Sequence, residues 1–177
     1  MGKAPKRVSR ARRKFTLYPE LVPRPLWGIS AYRLLRRRAP WKRIRNATLE
    51  EAGRRCSVCG ETTPPLFCHE RWCYNDKKGV ALLEGFAIVC RDCNRAIHIG
   101  LAGVLGEHEA AIAHLCRVNR ITEAEANVMV KRALTIWDNR SGKNWRVVVA
   151  TTLLKIYPQL GVLGKKGALP TARGHSF

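Results

Sequence analysis

The sequence predicts an α+β fold: a small ββα unit held by a structural zinc ion, with a basic arm before it and helices after it. Three observations point there. Two CxxC pairs, Cys56-Ser57-Val58-Cys59 and Cys90-Arg91-Asp92-Cys93, are separated by thirty residues. The stretch between them holds two strand-like apolar runs around a polar loop. Helical periodicity flanks this stretch on both sides.

Taken in chain order, Met1 to Lys14 is small and basic and is expected to order only on a ligand. Phe15 to Trp27 contains three prolines and reads as an extended arm lying on the folded part. Ser30 to Arg38 reads as a short basic helix with Leu34 and Leu35 inward. A longer helix opens at Pro40, a residue suited to a first turn. On it Trp41, Ile44, Thr48 and Ala52 share one face, and Gly53 ends it.

A first short strand is expected at Leu66-Phe67-Cys68-His69 and a returning strand within Val80 to Val89. A helix should then run from Cys90 to about Leu101. Downstream, Glu107 to Val118 reads as a helix, and Thr122 with Glu125 forms a capping-box pattern for another. Trp145 to Tyr157 is ambiguous between strand and helix, and Pro158 ends it either way. The expected divisions are an arm at 1–39, the zinc unit at 40–104, a helical region at 105–160 and a tail at 161–177.

Charge supplies the next signal. The 177 residues carry a formal charge of +20, and residues 1–46 hold fifteen Lys or Arg against one acid, Glu20. Such an excess repels itself unless a polyanion is near, so nucleic acid is the expected partner. A membrane is not, because no apolar run approaches the ~20 residues of a span. With a 46% apolar fraction the chain has enough for a core. Seven cysteines without a signal peptide point to a reducing, cytoplasmic setting. There the CxxC pairs read as metal sites ahead of disulfides or redox pairs. Cys56, Cys59, Cys90 and Cys93 are therefore the expected zinc ligands.

Asn94 and His98 are four apart on the expected helix, so they leave one face, which should look toward the strand carrying His69. Two imidazoles so placed could flank a phosphate, one binding a divalent ion and one activating water. Arg71, Arg91 and Arg95 border that place, and Arg36, Arg37 and Arg38 sit in the basic arm. All six are candidates for gripping phosphates, with solvated arginine as the plain alternative for each.

The segments Cys56-x-x-Cys59-Gly60, Cys68-His69-Glu70-Arg71-Trp72-Cys73-Tyr74-Asn75-Asp76, Leu83 to Cys93 and His98-Ile99-Gly100-Leu101-Ala102 resemble the HNH endonuclease family, in particular its members with four zinc cysteines. The resemblance extends to His114-Leu115-x-x-Val118-Asn119 and Ile136-Trp137-x-x-Arg140-Ser141. It implies an HNH-like ββα-metal nuclease cutting nucleic acid, DNA favoured, with Mg2+ or Mn2+ as catalytic ion. On the same resemblance His69 is the general base, Cys68 occupies a ligand position, and Asn94 and His98 complete the metal site. Glu70 or Asp76 would supply a carboxylate. Three positions depart from the family pattern: Gly85 stands where the middle Asn usually does, Asn94 where His is common, and Cys68 offers sulfur where magnesium prefers oxygen. An alternative therefore stands: an HNH-like zinc module that binds DNA or RNA without cutting, as a subunit of a nucleoprotein complex. A zinc-stabilised adaptor for an acidic partner is a third reading.

Overall fold

The computed structural model describes residues 15–35 and 39–166. The basic stretch at residues 1–14, the arginines Arg36, Arg37 and Arg38, and residues 167–177 lie outside the described residues. The fold is mixed α and β. Helices α1 (Ala31–Leu35) and α2 (Ala39–Glu51) lead into strands β1 (Leu66–Asn75) and β2 (Val80–Cys90). Then come α3 (Arg91–Ile97), α4 (Ile99–Val104), α5 (His108–Asn119) and α6 (Glu123–Ser141). A third strand, β3 (Arg146–Val149), precedes α7 (Thr151–Ile156) and α8 (Gly161–Lys166).

The hairpin is longer than the short strand expected at Leu66–His69. β1 and β2 pair antiparallel from Leu66 with Cys90 to Asn75 with Val80, and the register shifts between Arg71 and Trp72. β3 adds to β2 in parallel, giving the order β1-β2-β3 and leaving β1 as an edge. Both readings of Trp145 to Tyr157 are therefore realised in succession: Val147 and Val149 enter the sheet, and the chain turns helical at Thr151. Gly79 closes the hairpin with φ +58°, and a Cβ there would meet the Asn144 carbonyl oxygen at 2.7 Å. Only glycine permits both that backbone and that approach.

Two apolar clusters form. One unites α3 to α6 with the strand ends near the cysteines, through Val89, Ala96, Ile99, Leu115 and Val130. The other joins Trp41 and Ile44 of α2 to Leu83, Trp145 and Val147. The helix expected from Cys90 to Leu101 breaks at His98, whose φ −91° and ψ 46° leave the α region, and restarts as α4. His98 therefore stands on a corner between two helices. Its amide still donates to the Asn94 carbonyl at 3.0 Å, so the four-residue spacing survives the break. At α6 the capping box is complete: Thr122 accepts from the Glu125 amide, and Glu125 accepts from the Thr122 amide.

The arm is anchored by polar contacts. The amides of Thr16 and Leu17 both donate to Asn119 Oδ1 at 3.0 Å, and Asn119 Nδ2 donates to the Leu17 carbonyl at 2.8 Å. Further on, the Glu20 amide donates to the Ile97 carbonyl at 2.8 Å. The Val22 carbonyl accepts from both Trp27 Nε1 and Trp137 Nε1, at 2.9 and 3.0 Å. The arm thus passes directly beside the residue that precedes His98.

Because one amide side chain at the end of α5 makes three of these bonds, Asn119→Ala is expected to cost about 1–3 kcal/mol. Denaturant titration measures the loss, and hydrogen exchange at the Leu17 amide should accelerate. Unchanged stability and exchange would show that the arm is held elsewhere.

Candidate metal centre and histidine cleft

The sulfurs of Cys56, Cys59, Cys90 and Cys93 all lie within 4.8 Å of one another. Each arrives for a local reason. Cys56, buried, and Cys59, exposed, are brought together by a tight turn in which the Gly60 amide donates to the Cys56 carbonyl at 2.9 Å. Cys90 ends β2 and caps α3, its sulfur accepting from the Cys93 amide at 3.4 Å. The second pair thus follows from a strand running straight into a helix. A tetrahedral ion with Zn–S bonds of ~2.3 Å needs sulfurs ~3.8 Å apart. The Cys59 and Cys90 sulfurs are 3.6 Å apart, and none of the four is in a disulfide. Such a cluster can hold a metal ion such as zinc.

Its electrostatics also suit a cation. Four thiols this close cannot all ionise by themselves. A hydrogen bond from Cys93 holds the Cys56 thiol down at about 4, while burial pushes Cys59 up to about 11. The same bond to Cys56 drives the Cys93 thiol far upward. A bound cation would release those protons, so its affinity must fall as the solution is acidified.

One outer contact was not singled out among the candidate residues. His114 of α5 is 3% exposed, and its Nε2 lies 3.1 Å from the Cys93 sulfur. Its Nδ1 is 2.7 Å from Arg117 Nη2. Guanidinium can only donate, so Nδ1 accepts and the proton sits on Nε2, directed at the sulfur. Burial lowers the His114 pKa, with the Arg117 charge acting the same way, in keeping with a neutral ring.

Beside the cluster, His69 of β1 and His98 at the α3–α4 corner face each other, ring centres 5.0 Å apart and planes inclined by 45°. They share a cavity of ≈ 500 Å³ with Asn94, Glu70, Glu20 and Arg45. Burial lowers the His69 pKa to about 4, helped by the nearby His98, while contact with the Glu70 backbone opposes it. Burial lowers His98 as well. Both rings are therefore neutral at pH 7, with lone pairs free for a proton or a metal.

The other expected site residues divide. Asn94 lines the cavity as anticipated, and exposed Arg91 lines a second cavity of ≈ 250 Å³ that adjoins it at Asn94 and His98. Arg71 is also exposed, on β1 opposite Gly85. Cys68 lines the cavity that holds His69, Asn94 and His98, and it also packs against the apolar cluster beneath α2 and is hydrogen-bonded to the Thr48 side chain. It thus contributes to the cavity wall, but its thiol is engaged by Thr48.

Asp76 departs from its expected place. It sits past the end of β1, at the hairpin turn, paired with Arg140 at 2.8 Å and with Lys143. Glu70 is engaged by the Tyr32 amide and Trp72 Nε1, both at 3.1 Å. Arg95 is not free for phosphate, because Asp92 at 3.0 Å and Glu107 at 3.1 Å hold its guanidinium. Each involves at least one contact distant in sequence, alongside near neighbours such as Asp92 for Arg95 and Trp72 for Glu70.

The cleft wall supplied by the arm is also new. Glu20 reaches the cavity because its amide is tied to Ile97. No local pattern signals a contact across 77 positions. Desolvation raises the Glu20 pKa to about 7, against the lowering charges of Arg140 and Arg71.

Two outcomes follow. Removing the hydrogen bond to Cys93 in His114→Ala is expected to weaken zinc binding about 10–100-fold, measured by competition with a chromogenic chelator. Equal affinity in both proteins would make His114 a packing residue. A folded-state acid raised above its unfolded value favours the native state at low pH, and this advantage fades as pH rises from about 4.5 through about 7. Glu20→Gln should therefore raise the melting temperature at pH 8, with the gain shrinking towards pH 5; a pH-independent shift would refute the burial argument.

No protein-family model, no curated protein and no solved structure matches this chain, so its functional reading rests on its own residues.

Proposed function

We propose that this chain is an HNH-type, metal-dependent endonuclease that hydrolyses nucleic-acid phosphodiesters, with DNA favoured. The observation that carries the reading is the facing pair of neutral histidines, one on the hairpin and one at the corner after α3, beside a four-cysteine cluster. Hairpin, cluster and helix together have the order of a ββα-metal unit, with zinc as the structural ion. The charge of +20 suits a polyanionic substrate.

His69 is assigned as general base. Its burial keeps the imidazole unprotonated at neutral pH, so it can accept a proton from water attacking phosphorus. Asn94 and His98 would hold the divalent ion, and their donor set fits: an amide oxygen for a hard cation and an imidazole that favours Mn2+ over Mg2+. Such an ion, when bound, supplies charge stabilisation to the phosphate and the leaving 3′ oxygen. Arg91 lines the cavity adjoining the cleft at Asn94 and His98, where it would orient a phosphate.

A second reading, a nucleic-acid-binding module without cleavage, is favoured by the carboxylates. Asp76 is committed to Arg140 and Lys143, and Glu70 to Tyr32 and Trp72, so neither is a free ligand for the ion.

Plasmid incubated with Mg2+ or Mn2+ separates the two. The parent is expected to nick it, faster with Mn2+, while His69→Ala loses about 10²–10⁴-fold. Retained, salt-sensitive binding with no cleavage in either metal would favour the module.

A further inference from the structure

The histidine cleft is bordered by apolar surface that phosphodiester hydrolysis alone does not require. Three cavities meet at His98. Besides the ≈ 500 Å³ space shared with His69, one of ≈ 250 Å³ is walled by Phe67, Leu101 and Leu105, and one of ≈ 440 Å³ by Trp27, Leu101 and Val104. These five side chains are among the eleven large apolar residues most exposed among the described residues. Trp27 is 64%, Leu101 58%, Val104 84% and Leu105 62% exposed.

Their placement has local causes. The break at His98 redirects the chain into α4, and Leu101, Val104 and Leu105 follow at spacings of three and four, making one outward stripe. The Trp27 ring is held in orientation by its bond to the Val22 carbonyl. A fixed aromatic face and an aliphatic stripe thus line one cavity beside the same histidine.

We propose that this shelf receives unpaired bases, so the substrate of the cleft is a nucleic-acid strand with unstacked nucleotides next to the scissile phosphate. The inference rests on the cleft being a phosphodiester site and names its substrate class. An intact duplex turns phosphates and sugars outward and keeps its base faces stacked, so it gains little from an apolar shelf. An unpaired base exposes a flat π face that stacks on tryptophan, whatever its identity. Charge complementarity selects the occupant: exposed Arg45 and Arg91 border these same cavities on a chain of charge +20, which suits a strand with a phosphate at every step. An apolar protein partner would have no use for that cationic border.

The test measures binding of the full chain by fluorescence anisotropy, without added divalent ion and at about 150 mM salt. The probes are a labelled, unstructured single-stranded DNA oligonucleotide and the same strand in a duplex. The parent is expected to hold the single strand at least about tenfold more tightly. Trp27→Ala and Leu101→Ser, on separate elements, should each weaken single-strand binding about fivefold or more, with the loss falling on that probe and not on the duplex. Equal affinity for both probes would overturn the proposal. So would single-strand binding unchanged in both variants, including a result in which Leu101→Ser dissolves a dimer of this chain and nothing else. A single-strand preference, with no cleavage of either probe once Mg2+ or Mn2+ is added in a parallel assay, would sink the nuclease reading and leave the shelf standing. Cleavage of duplex and single strand at equal rates, with no binding preference, would do the reverse.

Discussion

Four sulfurs drawn within 4.8 Å of one another tie a turn, a strand end and a helix start to a single point. Everything near the histidine cleft inherits its position from that point. β2 runs without interruption into α3 because Cys90 both ends the strand and caps the helix. β1 pairs with β2 from Leu66 with Cys90 onward, so the location of His69 relative to α3 is measured from the same residue. A hairpin and one short helix bury too little apolar surface to hold such a relation alone. Here the sulfurs and the packing of α5 over α3 share that task, with His114 linking the two.

The cleft shows how burial, more than any paired charge, tunes its two histidines. Two imidazoles 5.0 Å apart would repel if both were protonated, and removal from water disfavours the cation further. Both effects hold the rings neutral, the state that can take up a proton or bind a metal. The surrounding acids are handled differently. Glu70 is satisfied by an amide and an indole, Asp76 by a guanidinium, and Glu20 sits half-buried with its carboxyl raised to about 7. A cleft whose carboxylates are engaged or raised in this way offers little repulsion to an anion.

The arm changes what the site is. As a sequence it is a proline-containing stretch behind a run of positive charge. In the fold it is a wall, fastened by Asn119, by the Ile97 carbonyl and by two indoles on one carbonyl oxygen. It carries Trp27 to the cavity beside His98, where the helix break also brings Leu101 and Val104.

The sequence by itself determined whatever depends on short spacing: the two cysteine pairs, the capping box at Thr122, the apolar face of α2 and the Asn94–His98 interval. These are set by turn geometry and helical period over a few residues, and they hold in any fold that contains them. Only the tertiary structure decided the length of the hairpin, the parallel addition of β3, the break at His98, the diversion of Cys68, Asp76 and Arg95 to other partners, and the approach of Glu20 and His114. Each of those depends on which distant segment is nearest when the chain is packed, and a strand's alternation or a guanidinium's choice of carboxylate cannot be read until that neighbour is in place.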